Sequence, residues 1–288
     1  MIEIHFQESL DALKLYERLC SAQQERNINY IDVLYEQENI ITICIDKKSN
    51  ELVDSFIIPV ITSFFIETKE DIWMLSMMQE LFYFSDFEER QQILEIARSI
   101  IEGERKGIPV IADLVPREEL ISTSLSTLLT DSISFSFESF IKFRLKDYSD
   151  RLLQYVEISI DEYKLEQEYQ NFIQNLRDYI TERDSKLEHV NILHNDQFLL
   201  FSEQFSEIKR DEVIKYIDRK LIQSYPMYID SSIIAPLVSM NPSSINLYTN
   251  QVDDGMVQTI RNIFQERVRI FSKKEFIESQ HLLVHKKI

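Results

Sequence analysis

A chain of 288 residues, 44% apolar and 28% charged, has the composition of a soluble globular protein with interior enough for one large domain or two ordinary ones. Its formal net charge of -18 argues against broad nucleic-acid binding, because neutralising phosphates takes an excess of Lys and Arg. The three glycines, Gly103, Gly107 and Gly255, form no Walker or dinucleotide loop, where several are needed for the backbone to approach phosphate.

From the N-terminus, Ile2, Ile4 and Phe6 alternate as in a half-buried strand. Ser9 is placed to cap a helix carrying Leu10, Leu13, Tyr16, Leu19 and Cys20 at helical spacing. Tyr30–Tyr35 and Ile40–Ile45 are β-rich, and Glu36-Gln37-Glu38-Asn39 between them predicts a hairpin. The first residues lack the basic and apolar regions of a signal peptide. Cys20 and Cys44 are too few for a disulfide scaffold and read as buried, reduced thiols of a cytoplasmic protein.

Residues 51–130 read as helices over Glu51–Ile66, Asp71–Phe84 and Phe87–Glu102, the last with an apolar stripe of Ile93, Ile96, Ala97 and Ile100. The longest apolar stretch, Phe56–Ile66, is far short of the roughly 20 residues a membrane-spanning helix needs. Bracketed by Asp54 and Glu67, it reads as a buried helix rather than a membrane span or a peripheral membrane contact. Gly103 and Gly107-Ile108-Pro109 mark a stop, and Pro116 fits the first turn of a further helix. The Ser-rich run 122–136 is the best available boundary. It divides an N-terminal α/β unit plus helices, 1–130, from a C-terminal helical and α/β domain, 131–288.

Residues 137–183 contain no Gly or Pro. Phe137, Ile141, Leu145, Tyr148, Leu152, Tyr155 and Val156 share one helical face, continued by Tyr163, then Leu165, Tyr169, Phe172, Leu176 and Tyr179 or Ile180. This predicts one long helix or two joined near 161–165. Glu138 with Lys142 and Asp147 with Arg151 are favourable i,i+4 pairs. Phe140 lies off the stripe and Phe143 nearly opposite it, so Phe143 belongs either to a second covered side or to a partner-binding surface. Arg144, at the stripe's edge, is expected to bury its stem and pair with a carboxylate.

The last third reads as strands His189–Leu193 and Phe198–Phe201 joined at Asn195-Asp196, and helices Asp211–Ile222 and Asp230–Met240, the second bent near Pro236. Strand Ile245–Tyr248, helix Gly255–Glu266 and strand Val268–Phe271 have the spacing of a parallel crossover. The expected fold class is therefore α+β, mainly helical. It has a small N-terminal α/β unit, a helical middle and an α/β C-terminal part with a short mixed or parallel sheet.

The wording of the long helical region, Phe140-Ile141-Lys142-Phe143-Arg144-Leu145-Lys146-Asp147-Tyr148 with Glu168–Ile173 and Leu176-Arg177-Asp178-Tyr179, resembles the YtxC-like family of sporulation proteins. The run Leu237–Tyr248 fits the family's tail less tightly. The resemblance implies a cytoplasmic, sporulation-associated protein of a Gram-positive endospore former. It carries no catalytic residue or ligand over to this chain.

Searching for a site finds little chemistry. His281 and His285 are spaced i,i+4, but no Glu follows the first as in a zincin motif, and that tail reads as a strand or a fraying end. His189 and His194 would point to opposite faces of a strand. Asp253-Asp254-Gly255 reads first as a helix N-cap and second as a metal or phosphoryl site. No Gly-x-Ser-x-Gly elbow is present, and nothing calls for a cofactor or a metal.

The leading expectation is thus a non-enzymatic protein-interaction role, with Phe143, Arg144 and Lys146 as candidate contact residues for a protein partner. The alternative is an enzyme or small-ligand-binding module with its site near Asn250–Gly255, at the carboxyl ends of the last strands. Nucleic-acid binding through the basic C-terminus (Arg267, Arg269, Lys273, Lys274, Lys286, Lys287) ranks below both.

Overall fold

A computed structural model describes residues 1–45, 50–105, 108, 115–129, 133–218, 221, 230 and 232–285. They form two compact units, Met1–Lys164 and Leu165–Ile288, each with its own sheet, helices and apolar core. The α+β, mainly helical class read from the sequence is the class observed.

In the first unit, β1 (Ile2–His5) is followed by α1 (Ser9–Glu25) and the hairpin β2 (Ile31–Glu36) and β3 (Ile40–Ile45). The hairpin closes with Glu38 and Asn39 at φ 66° and 60°, the left-handed region such turns demand. Ser9 is the first helical residue; the cap position falls on Glu8, whose side chain makes no capping bond. Cys20 and Cys44 are free thiols, but both are half-buried instead of enclosed.

The apolar run follows as α2 (Asn50–Leu52), a π-helical turn Val53–Ile57 and α3 (Ile58–Thr68), whose Phe56, Ile57, Ile58, Val60, Ile61, Phe64 and Phe65 are buried. No helix among the described residues is long and apolar enough to cross a membrane. Then come α4 (Glu70–Glu80) and α5 (Phe87–Ile101), capped by Asp86, whose carboxylate accepts the Glu89 amide at 2.9 Å. The α5 stripe Ile93, Ile96, Ala97 and Ile100 is buried as its spacing requires, and Gly103 at φ 73° terminates the helix. Gly107 and Pro109 lie outside the described residues. α6 (Arg117–Leu128) begins directly after Pro116.

The Ser-rich run does not separate units. Its end, Ile133–Ser136, is β4, which pairs parallel to β1 (Ile4 with Phe135) and completes the sheet order β2-β3-β1-β4. The contact boundary therefore falls after Lys164, well beyond residue 130. Ser136 caps α7 (Phe137–Arg144) by accepting the Ser139 amide at 3.3 Å. Phe137 stacks on Phe65 at 4.8 Å and meets Phe6 at 4.5 Å; such pairs add about 0.5–1.5 kcal/mol each beyond area burial.

The long helical region does break, but at Leu145 and not near 161–165. Leu145 adopts φ -99° and ψ 28°, and α8 then runs unbroken over Lys146–Thr181. Its first half gives Tyr148, Leu152, Tyr155, Val156, Ile160 and Tyr163 to the first core, and its last half gives Phe172, Ile173, Leu176 and Ile180 to the second. The break rephases the stripe: Phe140 is buried, whereas Ile141 is half-buried. The two expected i,i+4 pairs meet other partners. Glu138 accepts the Gln7 amide at 2.8 Å, and Arg151 donates to the Val115 carbonyl at 3.0 Å.

In the second unit, β5 (His189–His194) lies antiparallel to β6 (Phe198–Phe201) and parallel to β7 (Ser244–Tyr248), which is parallel to β8 (Val268–Phe271). α9 (Arg210–Tyr216) and α10 (Ile234–Met240) connect the hairpin to β7. Pro236 falls in the first turn of α10, where its missing N–H costs no helical bond, so the helix starts beside it instead of bending. α11 (Gly255–Phe264) makes the expected crossover from β7 to β8. The tail read as a strand or fraying end is helical, α12 (Lys273–His285), and buries Phe276 against Phe201 and Tyr248.

Candidate interaction surface

Around the break at Leu145, whose side chain is buried, residues of α4, α7 and α8 line a groove. The groove holds about 350 Å³ and is lined by Trp73, Ser76, Met77, Ile141, Lys142, Leu145, Lys146, Ser149 and Asp150. Its apolar floor is supplied by Trp73, Met77, Ile141 and Leu145. Trp73 is fixed edge-on to Tyr148 at 6.0 Å and packs on Phe65 at 6.1 Å, so the floor is anchored to the core.

Each expected contact residue is placed as follows. Phe143 is 71% exposed and so forgoes the roughly 1.5–3 kcal/mol that burying its side chain would gain. Lys142 holds its ammonium 5.6 Å from the Phe143 ring centre, a cation–π contact worth about 0.5–1 kcal/mol at an exposed site. Lys146 lines the groove and is exposed. Arg144 corrects the expectation: its side chain is exposed, not stem-buried, because the break at Leu145 turns it away from the stripe's edge. Its carbonyl accepts the Ser124 hydroxyl at 3.1 Å, which ties the end of α7 to α6. Trp73 and Met77 escaped the sequence reading because only folding brings them to this surface.

Beneath the groove lies a polar group with a perturbed proton affinity. Glu70, only 6% exposed, accepts the Tyr148 hydroxyl at 3.0 Å. Arg117 Nε approaches the same Oε1 to 3.0 Å, yet its N–H is not aimed there and makes no hydrogen bond, so the pairing is Coulombic. Burial raises the Glu70 pKa; Arg117 and the Tyr148 hydrogen bond offset this only in part. Burial, then the Glu70 charge, pushes the Tyr148 hydroxyl well above the ordinary tyrosine range. Packed between core aromatics, the group reads as a structural polar network and not as an acid–base pair facing substrate.

The segment Asn250–Gly255 offers little chemistry. Asp254 accepts the Met256 and Val257 amides at 2.9 and 3.2 Å as the N-cap of α11, and Asp253 is exposed. Among the described residues no group of three or more His, Cys, Asp or Glu side chains could hold a metal ion. His194 is buried, stacked on Phe198 at 4.2 Å and bonded through Nδ1 to Thr249 at 3.0 Å. His189 bonds to Asn191 and Asn246, both at 3.1 Å. Of the basic C-terminal residues, Arg267 donates to Asn241 at 2.8 Å and Lys273 to Asn195 at 2.6 Å; Lys286 and Lys287 lie outside the described residues.

Fold and surface define a two-unit α+β protein whose distinctive feature is an exposed aromatic and basic joint between helices. The model of the YtxC-like family matches residues 55–269, which include that joint, and the chain belongs to this family. Over 286 residues, 99% of each chain, it is 38% identical to "Uncharacterized protein YtxC" of Bacillus subtilis (strain 168). No solved structure matches.

Proposed function

We propose that this protein is a non-enzymatic, cytoplasmic protein-binding module associated with sporulation, and that the α7–α8 joint is its contact surface. The observation that carries the reading is the exposed Phe143 beside the groove of Trp73, Met77, Ile141 and Leu145, with Lys142 and Lys146 at its edge. A partner side chain seated on Phe143 would recover burial energy that the isolated chain forgoes, and aromatic anchors flanked by cations are what binding hot spots are made of. The sporulation setting rests on the resemblance carried by residues 140–179.

The test is affinity capture from sporulating cells with the native protein, Phe143→Ala and Lys146→Glu. A specific partner retained by the native chain and lost from both variants, with their thermal stability unchanged, is the expected result. Equal capture by all three removes the surface from consideration. Deleting the gene and counting heat-resistant spores tests the setting separately; undiminished counts would sever the link to sporulation.

A further inference from the structure

A second surface of the first unit has the opposite electrostatic character. Between the π-helical turn, α3 and α6 runs a groove of about 500 Å³, with Ile58, Pro59, Thr62 and Ile66 on its floor and Asp54, Glu118 and Glu119 at its rim. It continues into a space of about 280 Å³ that shares Asp54, Ile58 and Ser122 and ends at Thr127. Among the described residues three carboxylates and no cation line it. Arg117 lies 3.7 Å from Glu118 and offsets that charge, so Asp54 and Glu119 carry most of the unbalanced field. The floor is apolar where Ile58, Pro59 and Ile66 meet it.

Two features mark this groove as built for an occupant. Thr62, on its floor, is only 7% exposed, and its hydroxyl has no hydrogen-bond partner, although a helical Thr can ordinarily turn its hydroxyl to a carbonyl one turn back. The wall beside it is a π-helical turn, a form that carries a local cost and recurs at functional sites. That turn is itself braced from outside the groove: Arg26 donates to the Ser55 carbonyl at 2.9 Å and lies over the Phe56 ring.

We propose that this groove binds a short basic amphipathic segment of a partner protein. Its apolar side chains would lie over Ile58, Pro59 and Ile66, its Lys or Arg side chains would meet Asp54 and Glu119, and a polar group of the segment would complete Thr62. Charge complementarity selects this occupant: an acidic rim repels acidic peptides and anionic lipid alike. The proposal is independent of the α7–α8 joint.

The probe is a fluorescein-labelled peptide of leucine and lysine patterned as an amphipathic helix, titrated against the full chain at low and physiological salt. Because a chain of net charge -18 attracts any polycation, the variants are matched in charge. Asp54→Lys with Glu119→Lys is expected to weaken binding about tenfold or more, whereas Glu95→Lys with Glu157→Lys, exposed and outside the groove, changes it less than about twofold. Thr62→Val is expected to lower affinity severalfold, and Phe143→Ala to leave it unchanged. Equal weakening by the two double variants, or no binding at low salt, overturns the proposal.

Discussion

The two units treat their buried polar groups differently. In the second, the buried Asn191, His194, Ser239, Asn241 and Thr249 are all formally neutral or able to be so, and each is hydrogen-bonded. In the first, a carboxylate is buried beside an Arg that does not hydrogen-bond to it, and a Thr hydroxyl has no partner. Natural chains depart from full satisfaction where something other than stability is being served. Both candidate surfaces lie in the first unit: Trp73 of the joint groove packs on Tyr148, which bonds Glu70, and Thr62 floors the acidic groove. The second unit has the internal economy of a scaffold.

The sharpest way to break this contrast is to unbalance the second unit. Asn241 sits at φ 49° after α10; its amide donates to the carbonyls of Ile180 and Arg183, both at 2.8 Å, and its oxygen accepts from Arg267. Asn241→Leu strands these groups and places a bulky residue in the left-handed region, so a loss of about 3–5 kcal/mol is expected by chemical denaturation. A loss below about 1 kcal/mol would mean that the second unit is not held by its polar satisfaction.

Thr62→Val in the first unit should act in the opposite direction. The substitution removes an unpartnered buried hydroxyl at nearly constant shape, so stability should rise by about 1 kcal/mol. Combined with weaker peptide binding, that gain would identify Thr62 as a position where stability is given up for contact. A fall in stability would show instead that the hydroxyl is satisfied in solution.

Glu70 gives the contrast a pH dependence. Its folded pKa is raised, so the folded state holds the proton more tightly than the unfolded chain, and this favourable term is complete below the ordinary carboxylate range. It is lost as the pH rises through the raised value. Glu70→Gln fixes the neutral form; wild type should therefore lose stability relative to this variant as pH increases from about 4 towards neutrality. Thermal unfolding of the two proteins across that range measures the difference, and parallel curves would mean that Glu70 titrates as an ordinary carboxylate.

Much of this architecture is legible in the chain. Alternation in Ile2–Phe6, the polar turn between Tyr35 and Ile40, and the strand, helix, strand spacing from Ile245 to Phe271 are local signals, and local signals suffice for hairpins and crossovers. β4 has such a signal too, Ile133 and Phe135 alternating with Ser134 and Ser136, but it is masked by a run of serines that reads as a linker. The break at Leu145 has none: no Gly or Pro marks it, and the residue turns because tertiary packing holds its side chain in the core. For the same reason Phe143 could be singled out from a helical wheel whereas its groove could not. Trp73 and Met77 come from a helix some seventy residues earlier, and no periodicity within 137–183 encodes them.

The smallest effect belongs to a carboxylate of the second unit and has the reverse sign. Glu275 accepts the Ser272 amide at 2.7 Å and its hydroxyl at 2.8 Å at the start of α12, and these bonds lower its pKa. Its contribution is present above the ordinary carboxylate range and is lost as the pH falls through the lowered value. The protection factors of Ser272–Phe276, corrected for the slowing of intrinsic exchange by acid, should fall on acidification in wild type, while Glu275→Gln is less protected at neutral pH and shows no such transition. Because Phe276 at the next position packs on Phe201 and Tyr248, a release confined to the first turn of α12 leaves the helix docked, and its near-ultraviolet signal should stay constant. The same acid titration thus relieves a buried charge in the first unit and loosens an exposed cap in the second, a pair of opposite slopes that a single global unfolding transition could not produce.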